Sequence, residues 1–170
     1  FEKISSIKSG ISVGAYAKTV PGCEGGIWVS RPDGIYMSYD YGNTWNVYKT
    51  GSDVLFGFGK GVSDDIPAVY LYGKKDGCFG VYISDDMGLS YRRIADLSND
   101  VPGNVSDICG DSIYYGRVYA ATGGKGVYCY SDAGIDDKKP ELTLDADFAS
   151  KSYSFNFSGQ SSEYGSFFVN

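Results

Sequence analysis

The segment Ser38-Tyr39-Asp40-Tyr41-Gly42-Asn43-Thr44-Trp45 returns 46 residues later as Ser84-Asp85-Asp86-Met87-Gly88-Leu89-Ser90-Tyr91. Each copy follows a matching run, Gly34-Ile35-Tyr36-Met37 and Gly80-Val81-Tyr82-Ile83, and a degenerate third copy spans Gly126 to Gly134. Self-similarity at this period means stacked units, each too small to bury its own faces. The spacing is that of one four-stranded antiparallel propeller blade. Twenty-four glycines and sixteen tyrosines against two methionines fit short strands joined by tight turns. The expected fold is therefore all-β: about three propeller-like antiparallel blades.

The strands read as Ile11–Ala17, Gly26–Ser30, Gly34–Ser38 and Trp45–Tyr48 for the first blade. Leu55–Lys60, Ala68–Tyr72, Gly80–Ser84 and Tyr91–Ile94 make the second. Val105–Cys109, Arg117–Ala121 and Gly126–Tyr130 make the third, without a clear fourth strand. In this alignment Val13–Lys18, Leu55–Lys60 and Val105–Gly110, downstream of the boxes, are equivalent segments. Phe1 falls at the aromatic position that closes a box, so a further blade is expected to precede it. Beyond Pro140 the pattern changes. Leu142–Phe148 and Tyr153–Phe157 alternate at period two and read as a hairpin. Two parts are expected: residues 1–135 as the repeat module and 136–170 as hairpin tail and linker.

Ser38, Asp40, Gly42, Thr44 and Trp45 match an Asp box at every fixed position, and Ser84, Asp86, Gly88, Ser90 and Tyr91 form a second. The physical logic is a self-contained turn. The carboxylate accepts backbone N–H groups, the glycine takes a positive φ, and the aromatic covers apolar blade surface. This reads as a folding device rather than a catalytic pair.

Composition removes several classes of function. Fifteen basic and twenty-one acidic residues leave a net charge of −6, which opposes binding to a phosphate backbone. The chain has no histidine, so the commonest general base and metal ligand are both missing. No cofactor and no metal are expected. The acidic pairs Asp64-Asp65, Asp85-Asp86 and Asp136-Asp137 lack calcium-loop spacing and read as solvated turns. No apolar run approaches the ~20 residues of a membrane span. Cys23, Cys78, Cys109 and Cys129 lack CxxC spacing, leaving two disulfides of open connectivity or four buried thiols. The sequons at Asn104 and Asn156 favour a secreted protein.

Together with Tyr115-Gly116-Arg117-Val118-Tyr119 and the Phe58-Gly59-Lys60 strand, the boxes resemble glycoside hydrolase family 74. Residues 1–132 are similar to the last blades of such enzymes. The resemblance implies xyloglucanase blades from a protein with two seven-bladed propellers. It also implies catalytic aspartates in Asp-x-Gly-Gly segments, and that pattern occurs nowhere in this sequence, so no catalytic residue carries over.

The expected function is accordingly a non-catalytic extracellular module. It would dock a protein partner, in the manner of a cellulosome scaffold, or bind plant cell-wall polysaccharide. A fragment of an active endo-xyloglucanase is the alternative. Tyr39, Tyr41, Tyr114 and Tyr115 lie near turns and are the candidate binding surface, whereas Tyr36, Tyr82, Tyr119 and Tyr128 are expected to pack between blades. An open blade array also leaves edge strands that could pair with another chain.

Overall fold

The structure, a computed structural model, describes residues 16–48, 54–96 and 105–132, with the short strand segments 144–145 and 156–157. Its backbone divides into two units, Phe1–Ile135 and Asp136–Asn170. In the first unit, β1 (Tyr16–Thr19), β2 (Ile27–Arg31), β3 (Gly34–Ser38) and β4 (Asn46–Tyr48) form one sheet. A second comprises β5 (Leu55–Gly59), β6 (Ala68–Lys75), β7 (Cys78–Ser84) and β8 (Arg92–Asp96). A third comprises β9 (Val105–Gly110), β10 (Arg117–Thr122) and β11 (Gly126–Ser131). Every pairing is antiparallel between sequence neighbours, giving the expected blade meanders. The described residues contain no helix long and apolar enough to cross a membrane.

In the second unit β12 (Leu144–Asp145) pairs antiparallel with β13 (Asn156–Phe157) inside the expected hairpin. The rest of that hairpin, the sequon residue Asn104, the pair Asp136-Asp137 and the start of the first expected strand lie outside the described residues.

The middle sheet is buried on both faces, and β6 shows why its sequence is almost wholly apolar. Val69 and Leu71 join Trp28, Ile35, Phe56 and Tyr82 in one core, between the first and second sheets. Ala68, Tyr70 and Tyr72 point the other way and join Val81, Ile83, Ile108 and Val118 in a second core. A strand with both faces covered loses polar alternation. The β6–β7 hairpin also runs longer than the sequence pattern indicates, because Lys74 pairs with Phe79 and Lys75 with Cys78. Asp76 and Gly77, both at positive φ (51° and 84°), close it as a two-residue Asp-Gly turn whose twist matches the strands.

Register corrects the sequence alignment of the inner strands. Ser38, Ser84 and Tyr130 pair with Ile27, Val69 and Val118, which pair in turn with Thr19, Phe58 and Gly110. Those three residues are equivalent, not Lys18, Lys60 and Gly110. The loops leading from the inner strands differ in length, so counting along the chain slips where backbone pairing does not. One step on, Trp28, Tyr70 and Tyr119 become equivalent, with Trp28 and Tyr70 packed toward the next sheet.

Of the tyrosines expected between blades, Tyr36 and Tyr82 are buried and Tyr119 partly so. Tyr128 is 42% exposed instead. It lies on β11, an edge strand of the third sheet.

Candidate functional site

In these meanders alternate turns fall at one end. The β3–β4 and β7–β8 turns, which carry the boxes, therefore share an end with the β1–β2, β5–β6 and β9–β10 loops.

Each box is organised around its serine as well as its aspartate. The Ser38 hydroxyl donates to Asp40 Oδ1 (2.8 Å) and accepts from the Gly42 N–H (2.8 Å). Asp40 then accepts from Thr44 twice, N–H to Oδ1 at 2.8 Å and hydroxyl to Oδ2 at 2.7 Å. The second copy repeats this. Ser84 donates to Asp86 Oδ1 (2.7 Å) and accepts from Gly88 N–H (2.8 Å), while Ser90 gives Asp86 its N–H (2.8 Å) and hydroxyl (2.5 Å). Both serines are about 1% exposed, which the sequence does not reveal. The residue before each glycine is also left-handed: Tyr41 at φ 58° and Met87 at φ 56°, followed by Gly42 at 86° and Gly88 at 85°. In the third copy Tyr130 stands where the serine would be, and its hydroxyl donates to Asp132 Oδ1 at 2.7 Å.

These bonds stabilise ionised carboxylates. The Thr44 N–H and hydroxyl hold Asp40 below the usual carboxylate range. The Ser90 hydroxyl, then its N–H, bring Asp86 down to about 2. The closing aromatic of the second box is held against the core. Tyr91 packs against the first core, stacks near Tyr48 (centroids 5.6 Å apart), and has its phenol pKa raised by burial. Trp45, which closes the first box, is half-buried and also engaged.

Two consequences are measurable. Ser84→Ala leaves the buried Gly88 N–H without its acceptor and should cost about 1–3 kcal/mol in a urea melt. Because the folded pKa of Asp86 lies below its unfolded value, its contribution is full above about pH 4. It is lost as pH falls through about 2. Melting temperature should drop over that window in the parent and less steeply in Asp86→Asn. Parallel acid profiles for the two proteins would show that the carboxylate adds nothing.

The four candidate tyrosines share the box end but not one role. Tyr39 and Tyr41 are exposed on the first box; the Tyr41 hydroxyl donates to Glu24 on the β1–β2 loop. Tyr114 is exposed on the β9–β10 loop, with the Arg117 guanidinium 4.3 Å from its ring centroid. Tyr115 is instead taken up between blades. Its hydroxyl donates to Asp85 (2.9 Å to either oxygen) and accepts from Arg92 (3.1 Å), while Arg92 lies 4.0 Å from Asp132. Beside it the Gly116 N–H donates to the Tyr70 hydroxyl at 3.0 Å, and burial pushes the Tyr70 phenol up to about 12. This latch joins second and third blades, and only the buried register of Tyr70 could have signalled it.

Asp33, Asp40, Asp64, Asp86 and Asp111 are all displaced downward in pKa. At Asp111 burial opposes ionisation, but the N–H groups of Ile113 and Tyr114, the Tyr119 hydroxyl and the Arg117 charge together outweigh it. A glycosidase acid needs the opposite displacement. Among the described residues no cluster of three or more metal-ligating side chains forms.

All four cysteines are free thiols, with Cys78 and Cys109 exposed and Cys23 and Cys129 partly buried. Cys109 and Cys129 both pair with Tyr119, so a whole strand separates them. Two strand spacings, roughly 9.5 Å, exceed what a disulfide spans.

Blade meanders closed by hub-serine Asp boxes define a section of Asp-box β-propeller. No family model matches the chain. It is 36% identical over 126 residues to the xyloglucanase Xgh74A of Acetivibrio thermocellus, covering 72% of this chain and 15% of that protein. A Paenibacillus xyloglucanase is 33% identical over 154 residues, covering 75% and 14%. The GH74 enzyme of Niastella koreensis superposes with a TM-score of 0.62 at 33% identity, covering 73% of this chain and 19% of that one. The chain belongs to glycoside hydrolase family 74. It spans about one seventh of the length of the xyloglucanases it matches.

Proposed function

We propose that these blades are scaffold and saccharide-facing surface of an extracellular family 74 protein acting on xyloglucan, and that they carry no catalytic carboxylate. One observation supports this most: the displaced carboxylates are all held ionised, most of them by turn or ion-pair partners, and none is poised to donate a proton. Inverting hydrolysis also needs an acid and a base about 6.5–9.5 Å apart across the bond. The xyloglucanase relatives supply the polysaccharide. No feature of the described residues singles out a protein partner in preference to a saccharide.

The test compares the 170-residue chain with a longer polypeptide that adds the flanking blades. Reducing ends should appear from xyloglucan only with the longer protein. Release by the 170-residue chain, abolished by Asp40→Asn or Asp86→Asn, would overturn the scaffold assignment. No release by either protein would remove the xyloglucan assignment.

A further inference from the structure

A cleft of about 270 Å³ opens at the box end, between the β1–β2, β5–β6 and β9–β10 loops. Phe58, Ile66 and Pro67 give it an apolar wall, and Ser112 adds a hydroxyl from the third blade. Its two charged lining residues, Lys60 and Asp64, pair with each other. The cleft therefore offers a charged ligand no unmatched partner. Pockets for small ligands usually run to about 300–1,000 Å³, so this one suits a single ring better than a chain.

One exposed aromatic ring belongs to a loop that lines the cleft, and a second is hydrogen-bonded to another of those loops. Ser112 lines it, and two residues on Tyr114 stands exposed with one face held against Arg117. Pro21 and Gly22 line it, and further along that loop Glu24 fixes the hydroxyl of Tyr41, which is 55% exposed. The Tyr41 backbone N–H also bonds to Gly25 O at 3.0 Å. Each ring thus carries a tether before any ligand arrives, which lowers the ordering cost of stacking. A pyranose presents an apolar C–H face and a neutral hydroxyl rim, the combination that an apolar wall, self-paired charges and tethered tyrosines complement.

From this geometry we propose that the box-end cleft is a non-catalytic binding site for one neutral sugar unit of a β-glucan chain, with Tyr114 and Tyr41 stacking on neighbouring units. The saccharide class rests on the xyloglucan reading above; the position of the site does not. It lies among carboxylates committed to turns, so it captures polysaccharide without cleaving it.

The experiment is an amide-shift titration of the 170-residue chain with cellobiose, a xyloglucan heptasaccharide and, as an acidic comparison, digalacturonate. Saturable shifts confined to Gly59–Gly61, Ser112 and the Tyr114 and Tyr41 turns are expected with the two neutral probes. Ile66→Asp and Tyr114→Ala, both at exposed positions, should each weaken binding at least tenfold. Leu89→Ser, on the same end but outside the cleft lining, should not. Shifts elsewhere, no shifts, equal affinity for digalacturonate, or binding indifferent to Ile66→Asp and Tyr114→Ala would each overturn the site. Xyloglucan hydrolysis by the longer protein without shifts here leaves the xyloglucan reading standing and removes this one. Shifts here without hydrolysis do the reverse.

Discussion

Gly57→Ala should destabilise the chain by about 3 kcal/mol, although alanine suits a strand at this position. Gly57 does not have a positive φ, so the cost comes from space alone. A Cβ there would sit 2.3 Å from the Ile108 carbonyl oxygen and 2.8 Å from Cys109 Cα, both backbone atoms of the neighbouring blade. Gly59 is equally close to Gly110, and the Lys60 N–H donates to Asp111 O at 2.6 Å. Inner strands β5 and β9 thus meet backbone to backbone, and the Tyr70 ring lies over Gly110. A methyl group at Gly57 must push the second and third blades apart and loosen the core containing Tyr70, Ile108 and Val118. Gly124→Ala is the control: nothing lies within 4 Å, and only its φ of 110° is penalised, at about 1 kcal/mol. Urea melts in which the two variants lose the same stability would show that the blade contact is not tight.

The contrast between these glycines shows what was readable from sequence and what was not. The box motif exposed blade period and strand order, because Ser38, Asp40, Gly42 and Thr44 act locally through bonds spanning at most four residues. Aligning the repeats located most strands to within a residue or two. Contacts between blades left no such trace. Gly57 reads as one more glycine, and nothing in its neighbourhood announces Ile108. Tyr115 reads as an exposed turn aromatic until Asp85 and Arg92, on another blade, are brought to its hydroxyl. The candidate cleft was illegible for the same reason. Pro21, Ile66 and Ser112 are far apart in sequence and meet only because alternate turns of three meanders share an end.

Trp28→Ala should be the most damaging single substitution, at about 3–5 kcal/mol. Trp28 is fully buried, and its position in the first sheet is taken by Tyr70 in the second. The solutions differ. Tyr70 lies over glycine and uses its hydroxyl to hold Gly116, whereas Trp28 fills space between Phe56 and Phe58, with centroids 5.7 and 5.3 Å away. It also touches the second box, since a Cβ at Gly88 would lie 3.1 Å from its ring edge and 2.8 Å from the Tyr91 hydroxyl. Removing the indole opens a cavity bounded by two sheets and a turn whose bonds hold their shape, so little collapse can offset it. Trp28→Phe retains a ring and should lose less than half as much. Because the chain has only two tryptophans, its emission in that variant reports Trp45 alone, and the difference from parent isolates the Trp28 signal. That difference should show the blue-shifted emission of a buried indole and vanish in the same urea transition as the backbone signal. A red-shifted Trp28 signal, or Trp28→Ala melting with the parent, would mean the first and second blades do not pack through this residue.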